Sequence, residues 1–261
     1  MKAIILAAGR GTRLAPYTNA RPKCLVEIDG VSLLARQSLV LSKCGLTDVT
    51  VVAGYLAEQI ESLGYKTIRN PNYETTNMVA SLGLVDWSDF LDDDLVISYG
   101  DVIHHPYIVS RLMAETADVV VPIDLRFREY WHYRFEQPLL DLETLKLDRD
   151  KFIIDIGGVP DSYEGIEGQY MGLLKLSSDA VNRLSLQYKQ FLSGGAISIN
   201  GRSYETAYMT DLLMDWIVDG VKVASLPCDR DWLEVDTVSD LLLPLTSQRA
   251  NNILLDCAPA K

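Results

Sequence analysis

The sequence predicts an α/β fold, doubly wound around a mixed but mostly parallel sheet. Three observations carry this. Short apolar runs of strand length alternate with amphipathic stretches of helix length through residues 1–122. The helix-like stretches close on glycines, as at Gly45 and Gly64. A G-x-G turn follows the first apolar run, at the edge of the sheet where open α/β folds bind ligands.

Taken in order, AIILAAG is short and is followed at once by Arg10 and Arg13, so it reads as a buried strand rather than a secretion signal. SLLARQSLVLSKCG is a helix, DVTVVA a strand, YLAEQIESLG a helix and KTIRN a strand. A helix over about residues 77–86, the strand LVISY, a helix over about residues 106–115 and the strand DVVVP complete the first half. RFREYWHYRFEQPLLDLETLKLDRDKFIIDIGG shows few helical repeats and reads as a loop followed by a hairpin around Asp148 to Asp150, a lid or insertion. GQYMGLLKLS is then a strand, SSDAVNRLSLQYKQFL and SYETAYMTDLLMDWIVDG are helices, the second ended by Gly220, and KVASLP and WLEVD are strands. The helix TVSDLLLPL closes the fold, and residues from about Asp256 look loose.

Composition narrows the function classes. Thirty-six acidic against 24 basic residues give a net charge of -12 and a pI near 4.7, which argues against nucleic-acid or anionic-membrane partners. Cys24, Cys44, Cys228 and Cys257 are scattered, with no C-x-x-C pair and no ligand-like spacing to the three histidines. Reduced thiols in a cytoplasmic protein are expected, and no apolar span is long enough to cross a bilayer. Against this acidic whole, the chain carries Lys2, Arg10, Arg13, Arg21 and Lys23 before its first acid, Glu27.

LAAGRGTRL is not a dinucleotide fingerprint, since Leu14 replaces the third glycine, nor a Walker loop, since no GK[ST] follows. A tight β-α turn would explain the glycines alone. The cations favour more: gathered without acids, they imply a bound anion, and the amides of Gly9, Gly11 and Thr12 can point at phosphate oxygens. The expectation is a polyphosphate pocket held locally positive within a negative body.

Residues 6–28, LAAGRGTRLAPYTNARPKCLVEI, resemble the nucleotidyltransferase signature LAAGxGxRLxPxTxxxPKxLxxI. These enzymes join an NTP to a phosphorylated acceptor and release pyrophosphate. The resemblance implies a single Rossmann-like domain over residues 1–261, with residues 1–122 as the nucleotide-binding half and residues 123–261 as the acceptor-binding lid and C-terminal half. It places Leu6, Ala7, Ala8, Gly9, Gly11 and Thr12 on the nucleotide and gives Arg13 and Lys23 the catalytic charge stabilisation. Joining two anions calls for a divalent metal. Asp101 after LVISYG and Asp236 in WLEVD each read alone equally well as a cap; the family's pattern makes them the Mg²⁺ ligands, with Glu234 as a lesser helper. His104 and His105 are assigned to the start of the following helix, because a phosphate acceptor needs no general base.

Asn77 and Ser81 stand at i, i+4, as a base-facing pair or as part of a helix cap. NPNYETTNMVASL resembles the segment of cytidylyltransferases for small phospho-compounds in which an Asn and a Ser face the pyrimidine. The middle segment and EGQYMGLLKLS resemble the branch acting on phosphoglutamine and phosphonates. Arg126, Arg128, Tyr130, Trp131, His132, Tyr133 and Arg134 either pack as an ordinary hairpin or grip an acceptor, Arg128, Tyr130 and Arg134 being the candidates. By resemblance, Glu167, Gln169 and Tyr170 contact the acceptor, Glu167 through a substrate ammonium, and Trp232 lines the same cleft or simply packs. The expected activity is CTP-dependent transfer of CMP to a small phospho- or phosphono-acceptor, phosphoglutamine favoured over phosphocholine and aminoethylphosphonate, in capsule or surface-polysaccharide modification. A sugar-1-phosphate enzyme using UTP, dTTP or GTP and a non-catalytic nucleotide sensor are the alternatives, and a homodimer is left open.

Overall fold

The computed structural model describes residues 1–193, 198–229 and 231–257. The first half contains β1 (Lys2–Ala7), α1 (Leu33–Lys43), β2 (Val49–Ala53), α2 (Ala57–Ser62), β3 (Lys66–Arg69), α3 (Met78–Leu82), β4 (Leu95–Tyr99), β5 (Val102–His104), α4 (Pro106–Ala114) and β6 (Val119–Asp124). There follow α5 (Phe127–Arg134), β7 (Leu145–Leu147), β8 (Phe152–Ile156), β9 (Gln169–Tyr170), β10 (Leu173–Leu176) and α6 (Ser178–Leu192). The chain continues through α7 (Met209–Val218), β11 (Val223–Cys228), β12 (Trp232–Glu234), α8 (Val238–Leu242) and α9 (Pro244–Cys257).

One sheet runs β3-β2-β1-β4-β10-β6-β11-β8-β7, with β9 paired to β6. Strands β3, β2, β1 and β4 are parallel neighbours, as are β6 and β11, whereas β10 and β8 run antiparallel to theirs. This is the mixed, mostly parallel doubly wound sheet that the alternating pattern implies. Period-two alternation in β1 sends Ala3, Ile5 and Ala7 to one face and Ile4 and Leu6 to the other. The first face packs on α1, α4 and α9 through residues such as Leu34, Val109 and Ile253, and the second on α3, α6 and α7 through Leu82, Val181 and Trp216. Nearly all of β1 is thus buried on both sides, which is why it reads as a continuous apolar run.

Three expectations are corrected. Residues 127–134, read as loop, form α5, because Phe127, Tyr130, Trp131 and Arg134 fall at i, i+3, i+4 and i+7 and all four are buried. The stripe is helical, but it ends in an arginine. The helix near residue 77 is confined to five residues, Met78–Leu82. The fold does not close at α8: α9 continues to Cys257 on a weak stripe of Thr246, Ala250 and Ile253. Buried Arg36 helps seat it, donating to the carbonyls of Ala250 at 2.8 Å and Ile28 at 2.5 Å. Asp256, expected to be loose, lies in α9 and pairs with His105 Nε2 at 2.7 Å; residues 258–261 lie outside the described residues. The hairpin expected around Asp148 to Asp150 is present as β7 and β8, which form the far edge of the sheet.

Candidate active site

The site forms where β1 and β4 end side by side and β12 folds back against β5. Beyond β1, Gly11 holds φ +71°, and a Cβ there would meet Lys23 Cβ and Cγ at 2.9 Å. Glycine is therefore demanded twice, by the backbone and by the lysine that crosses it. The Thr18 hydroxyl donates to the Gly11 carbonyl at 2.8 Å and holds the turn, while buried Leu14 anchors the short helical turn Thr12–Leu14. Beyond β4, Gly100 lets the strand tip lie against Ala7, whose Cβ would be 2.8 Å from a side chain at that position. The antiparallel pairing of Val102 with Glu234, and a bond from Val235 N–H to the Asp101 carbonyl at 3.0 Å, bring Asp101 and Asp236 together from distant parts of the chain.

The Lys23 ammonium bridges the carboxylates of Asp101 and Asp236, and Arg13 Nη2 stands 3.1 Å from Asp236 Oδ2. Burial alone would lower the Lys23 pKa; the two carboxylates more than offset this and hold it above its ordinary value. Burial likewise favours a protonated Asp236, yet Lys23 and Arg13 keep its pKa below the usual range. The Glu234 pKa is pushed up by burial and by the neighbouring Asp236 and Asp101, against the pull of Arg134. Oxygens of Asp101, Glu234 and Asp236 all lie within 4.8 Å of one another. Asp101 Oδ1 is buried and has no hydrogen-bond partner among the described residues. An all-oxygen carboxylate set with an orphaned buried oxygen fits a hard divalent cation such as Mg²⁺.

Behind this cluster, the Arg134 guanidinium donates to Glu234 Oε2 at 2.5 Å and through Nε to Asp240 Oδ1 at 2.9 Å. Asp240 Oδ2 in turn accepts from the backbone N–H groups of Asp236 at 3.0 Å and Thr237 at 2.9 Å. Arg134 thus fixes the E-x-D segment from below.

Residues 3–154 match the model of the MobA-like NTP transferase domain. Over 252 residues the sequence is 32% identical to CTP:phosphoglutamine cytidylyltransferase of Campylobacter jejuni, covering 92% of this chain and 98% of that protein. The chain belongs to the MobA-like NTP transferase family. It is also 35% identical to CMP-5'-(3-aminopropyl)phosphonate synthase of Streptomyces rubellomurinus, over 92% of this chain but only 37% of that longer protein. Among solved structures, the inositol-1-phosphate CTP transferase of T. maritima superposes with a TM-score of 0.73 at 19% identity, covering 97% of this chain and 95% of that one. The CTP:phosphocholine cytidylyltransferase of Streptococcus pneumoniae gives 0.68 at 22%, covering 92% and 95%. At these identities the structures speak for the fold.

In this NTP transferase, Leu6, Ala7, Ala8, Gly9, Gly11, Thr12, Asn77 and Ser81 all line one cleft of about 320 Å³, together with Arg13, Lys23, Asp101 and Asp236. The cap reading of Asn77 holds, its Oδ1 accepting from Met78 N–H at the start of α3, and the residue also lines the cleft. Ser81 is tied to the Asn77 carbonyl at 3.0 Å and to Asn70 Nδ2 at 2.8 Å. Tyr73, Thr76, Met78 and Tyr99 line the same cleft and were missed, as ordinary residues without a motif. The locally positive pocket is corrected. Of the five early cations only Arg13 and Lys23 reach the cleft; Lys2 pairs with Asp93, Arg21 with Glu27, and Arg10 lies 5.1 Å from the ring centroid of Tyr55.

A second cavity of about 300 Å³ adjoins the first, sharing Arg13, Met78, Tyr99, Glu234 and Asp236. Gln169, Tyr170 and Trp232 line it as expected, although the Gln169 amide is spent on Glu143 and Gly168 and the Trp232 indole on Asp124. Four acceptor assignments are corrected. Arg134 is buried between Glu234 and Asp240, and the Tyr130 hydroxyl accepts from Glu234 N–H at 3.0 Å, so both support the carboxylates rather than face the cavity. Arg128 points away, 5.0 Å from the Tyr163 ring centroid, and the Glu167 carboxylate accepts from Leu147 N–H at 2.6 Å. His105 caps α4, as expected. His104 sits in β5, buried, at 2.7 Å from the Met171 carbonyl. A larger groove of about 920 Å³ lies at the opposite edge of the sheet, between α6 and the end of α7, and holds none of these groups. Among the described residues, no helix is long and apolar enough to cross a membrane.

Proposed function

We propose that this protein is a CTP-dependent cytidylyltransferase that joins CMP to a small phosphorylated or phosphonate acceptor, phosphoglutamine first among them, and releases pyrophosphate. The observation that carries the reading is the convergence of Lys23 and Arg13 on Asp101 and Asp236 beside the glycine-rich turn, in a chain aligned over nearly its whole length with a phosphoglutamine cytidylyltransferase. An acceptor oxygen attacks the α-phosphorus in line. The new P–O bond forms as the bond to the β-phosphate bridging oxygen breaks, and its electron pair leaves with pyrophosphate. No proton has to be removed, because a phosphate monoester with a second pKa of about 6 is mostly a dianion at neutral pH. Arg13 and Lys23 stabilise charge on the α-phosphoryl oxygens and the leaving group, and Gly9, Gly11 and Thr12 offer backbone amides to the triphosphate. Asp101 and Asp236, with Glu234, would hold Mg²⁺, which when bound offsets the repulsion between acceptor and nucleotide.

The test is pyrophosphate release across CTP, UTP, dTTP and GTP with phosphoglutamine, phosphocholine, 2-aminoethylphosphonate and glucose 1-phosphate. Turnover with CTP and a small phospho- or phosphono-acceptor is expected. A preference for another NTP with the sugar phosphate, or no turnover with any pair, would overturn the reading.

A further inference from the structure

The second cavity has one feature its walls do not explain. Glu143 lines the part not shared with the nucleotide cleft, in company with Asp141, Tyr170, Tyr208 and Thr210. Its backbone is engaged by Gln169 at 2.5 and 3.0 Å, but its carboxylate has no hydrogen-bond or ion-pair partner among the described residues. Asp141 differs, because its carboxylate accepts from the Trp131 indole at 3.0 Å. Arg202, the cation that acts on Glu143 among the described residues, is paired with Asp211 at 3.2 Å. Aromatic side chains form much of the wall, from Trp131, Tyr170, Tyr208 and Trp232, beside Gln169 and Gly172. The Tyr170 hydroxyl, buried beside that of Tyr99, meets no described atom at full hydrogen-bonding geometry. A half-buried carboxylate without a close counter-ion favours a cation beside it, and aromatic faces attract cations.

We propose that Glu143 is a specificity-determining residue whose carboxylate receives an ammonium group of the acceptor, while the acceptor's phosphate or phosphonate lies at the shared end beside Arg13 and Asp236. The inference rests on the cytidylyltransferase reading and goes beyond it, since it selects zwitterionic acceptors over sugar phosphates, which would leave Glu143 uncompensated. The environment adds a pH signature. Burial, then Asp211 and Asp141, push the Glu143 pKa up to about 7 against Arg202, with the hydroxyls of Tyr99 and Tyr170 nearby. Protonation as pH falls through 7 removes the charge that the ammonium needs, so the preference for amine acceptors over their amine-free counterparts shrinks in acid.

The experiment is calorimetric titration of the full chain, with Mg²⁺ and a non-hydrolysable CTP analogue present. Phosphoglutamine, phosphocholine and 2-aminoethylphosphonate are each compared with an amine-free counterpart, namely the desamino analogue, 3,3-dimethylbutyl phosphate and propylphosphonate. At pH 8 at least one amine is expected to bind about tenfold or more tighter than its counterpart, as for a hydrogen bond to a charged group. Glu143→Gln should reduce that ratio to near one without changing affinity for the CTP analogue, flatten its pH dependence and melt like the wild type; Glu143→Asp should restore part of the ratio. Retention of the preference in Glu143→Gln, or no preference for any amine in the wild type, overturns the proposal. Titration needs no turnover. A chain that prefers amines through Glu143 yet releases no pyrophosphate keeps this proposal and loses the cytidylyltransferase reading, and CTP turnover with equal use of both members of each pair does the reverse.

Discussion

Lys23→Met separates binding from catalysis more sharply than any other substitution. The Lys23 ammonium is engaged by the carboxylates of Asp101 and Asp236. At an effective dielectric near 20, each such contact at about 4 Å is worth about 4 kcal/mol of attraction. A nucleotide phosphate that meets Lys23 gains only the difference between its own attraction and the carboxylate contacts it weakens, so CTP affinity is expected to change by less than about tenfold. As bond breaking concentrates charge on the leaving phosphates, the balance tips toward Lys23. Loss of a preorganised donor to developing charge costs about 10²–10³ in kcat, or about 3–4 kcal/mol. The assay pairs single-turnover pyrophosphate release with calorimetry of CTP binding in Mg²⁺. The variant should also melt lower without ligand, because two partly buried carboxylates then face each other without their cation, and Mg²⁺ should restore the midpoint. Equal losses in kcat and CTP affinity would refute the reasoning and reduce Lys23 to a ground-state contact.

Gly11→Ala should lower kcat/KM by at least about tenfold while the fold survives, since a Cβ at 2.9 Å from Lys23 displaces the lysine; wild-type kinetics would show that the turn adapts freely. Arg134→Met should cost about 3–5 kcal/mol in denaturant unfolding, because Glu234 and Asp240 lose their buried counter-ion; a loss below about 1 kcal/mol would mean the carboxylates find other partners. His104 is buried with its pKa pushed down to about 4, chiefly by loss of solvent. Between its ordinary value of 6.5 and that value the unfolded chain binds a proton that the folded chain refuses, so stability falls as pH drops from 6.5 to 4, by about 3 kcal/mol in total. His104→Gln should show a shallower loss over that window, and an unchanged slope would exclude the histidine as the source.

What the sequence makes legible follows from how local the signal is. The cleft around β1 is encoded in one contiguous stretch, and its glycines, Arg13 and Lys23 line the cleft where their order places them. Asp101 and Asp236 stand out singly only as strand ends and as a pair only through the family resemblance, and their meeting depends on the pairing of β5 with β12, which no local pattern announces. The acceptor side is harder. Arg134 looks like a free cation among aromatics, but its place as the last member of the Phe127, Tyr130, Trp131 stripe makes it inward-facing, and counting that stripe would have revealed both α5 and its buried arginine. Glu167 and Glu143 are indistinguishable as residue types. Glu167 is spent on the β7 backbone and Glu143 is not, a difference that exists only after the chain has folded.

The cleft is balanced in charge rather than locally positive. A cluster of Arg13, Lys23 and Arg134 against Asp101, Glu234, Asp236 and Asp240 sets three cations against four carboxylates, so the seat for a triphosphate is not positive. The early cations are not surplus charge waiting for an anion; the two that reach the cleft balance acids supplied by the ends of β4 and β12. Such a site discriminates by charge. A bare polyphosphate would meet Asp101 and Asp236 as like charges, whereas a divalent cation held by these carboxylates would offset that repulsion and leave Lys23 and Arg13 to face the phosphates. A pocket of uniformly positive charge would bind any polyanion tightly in its ground state and leave little attraction unspent for the transition state. Pairing each cation with a carboxylate would limit that ground-state attraction and keep more of it for the step in which charge develops.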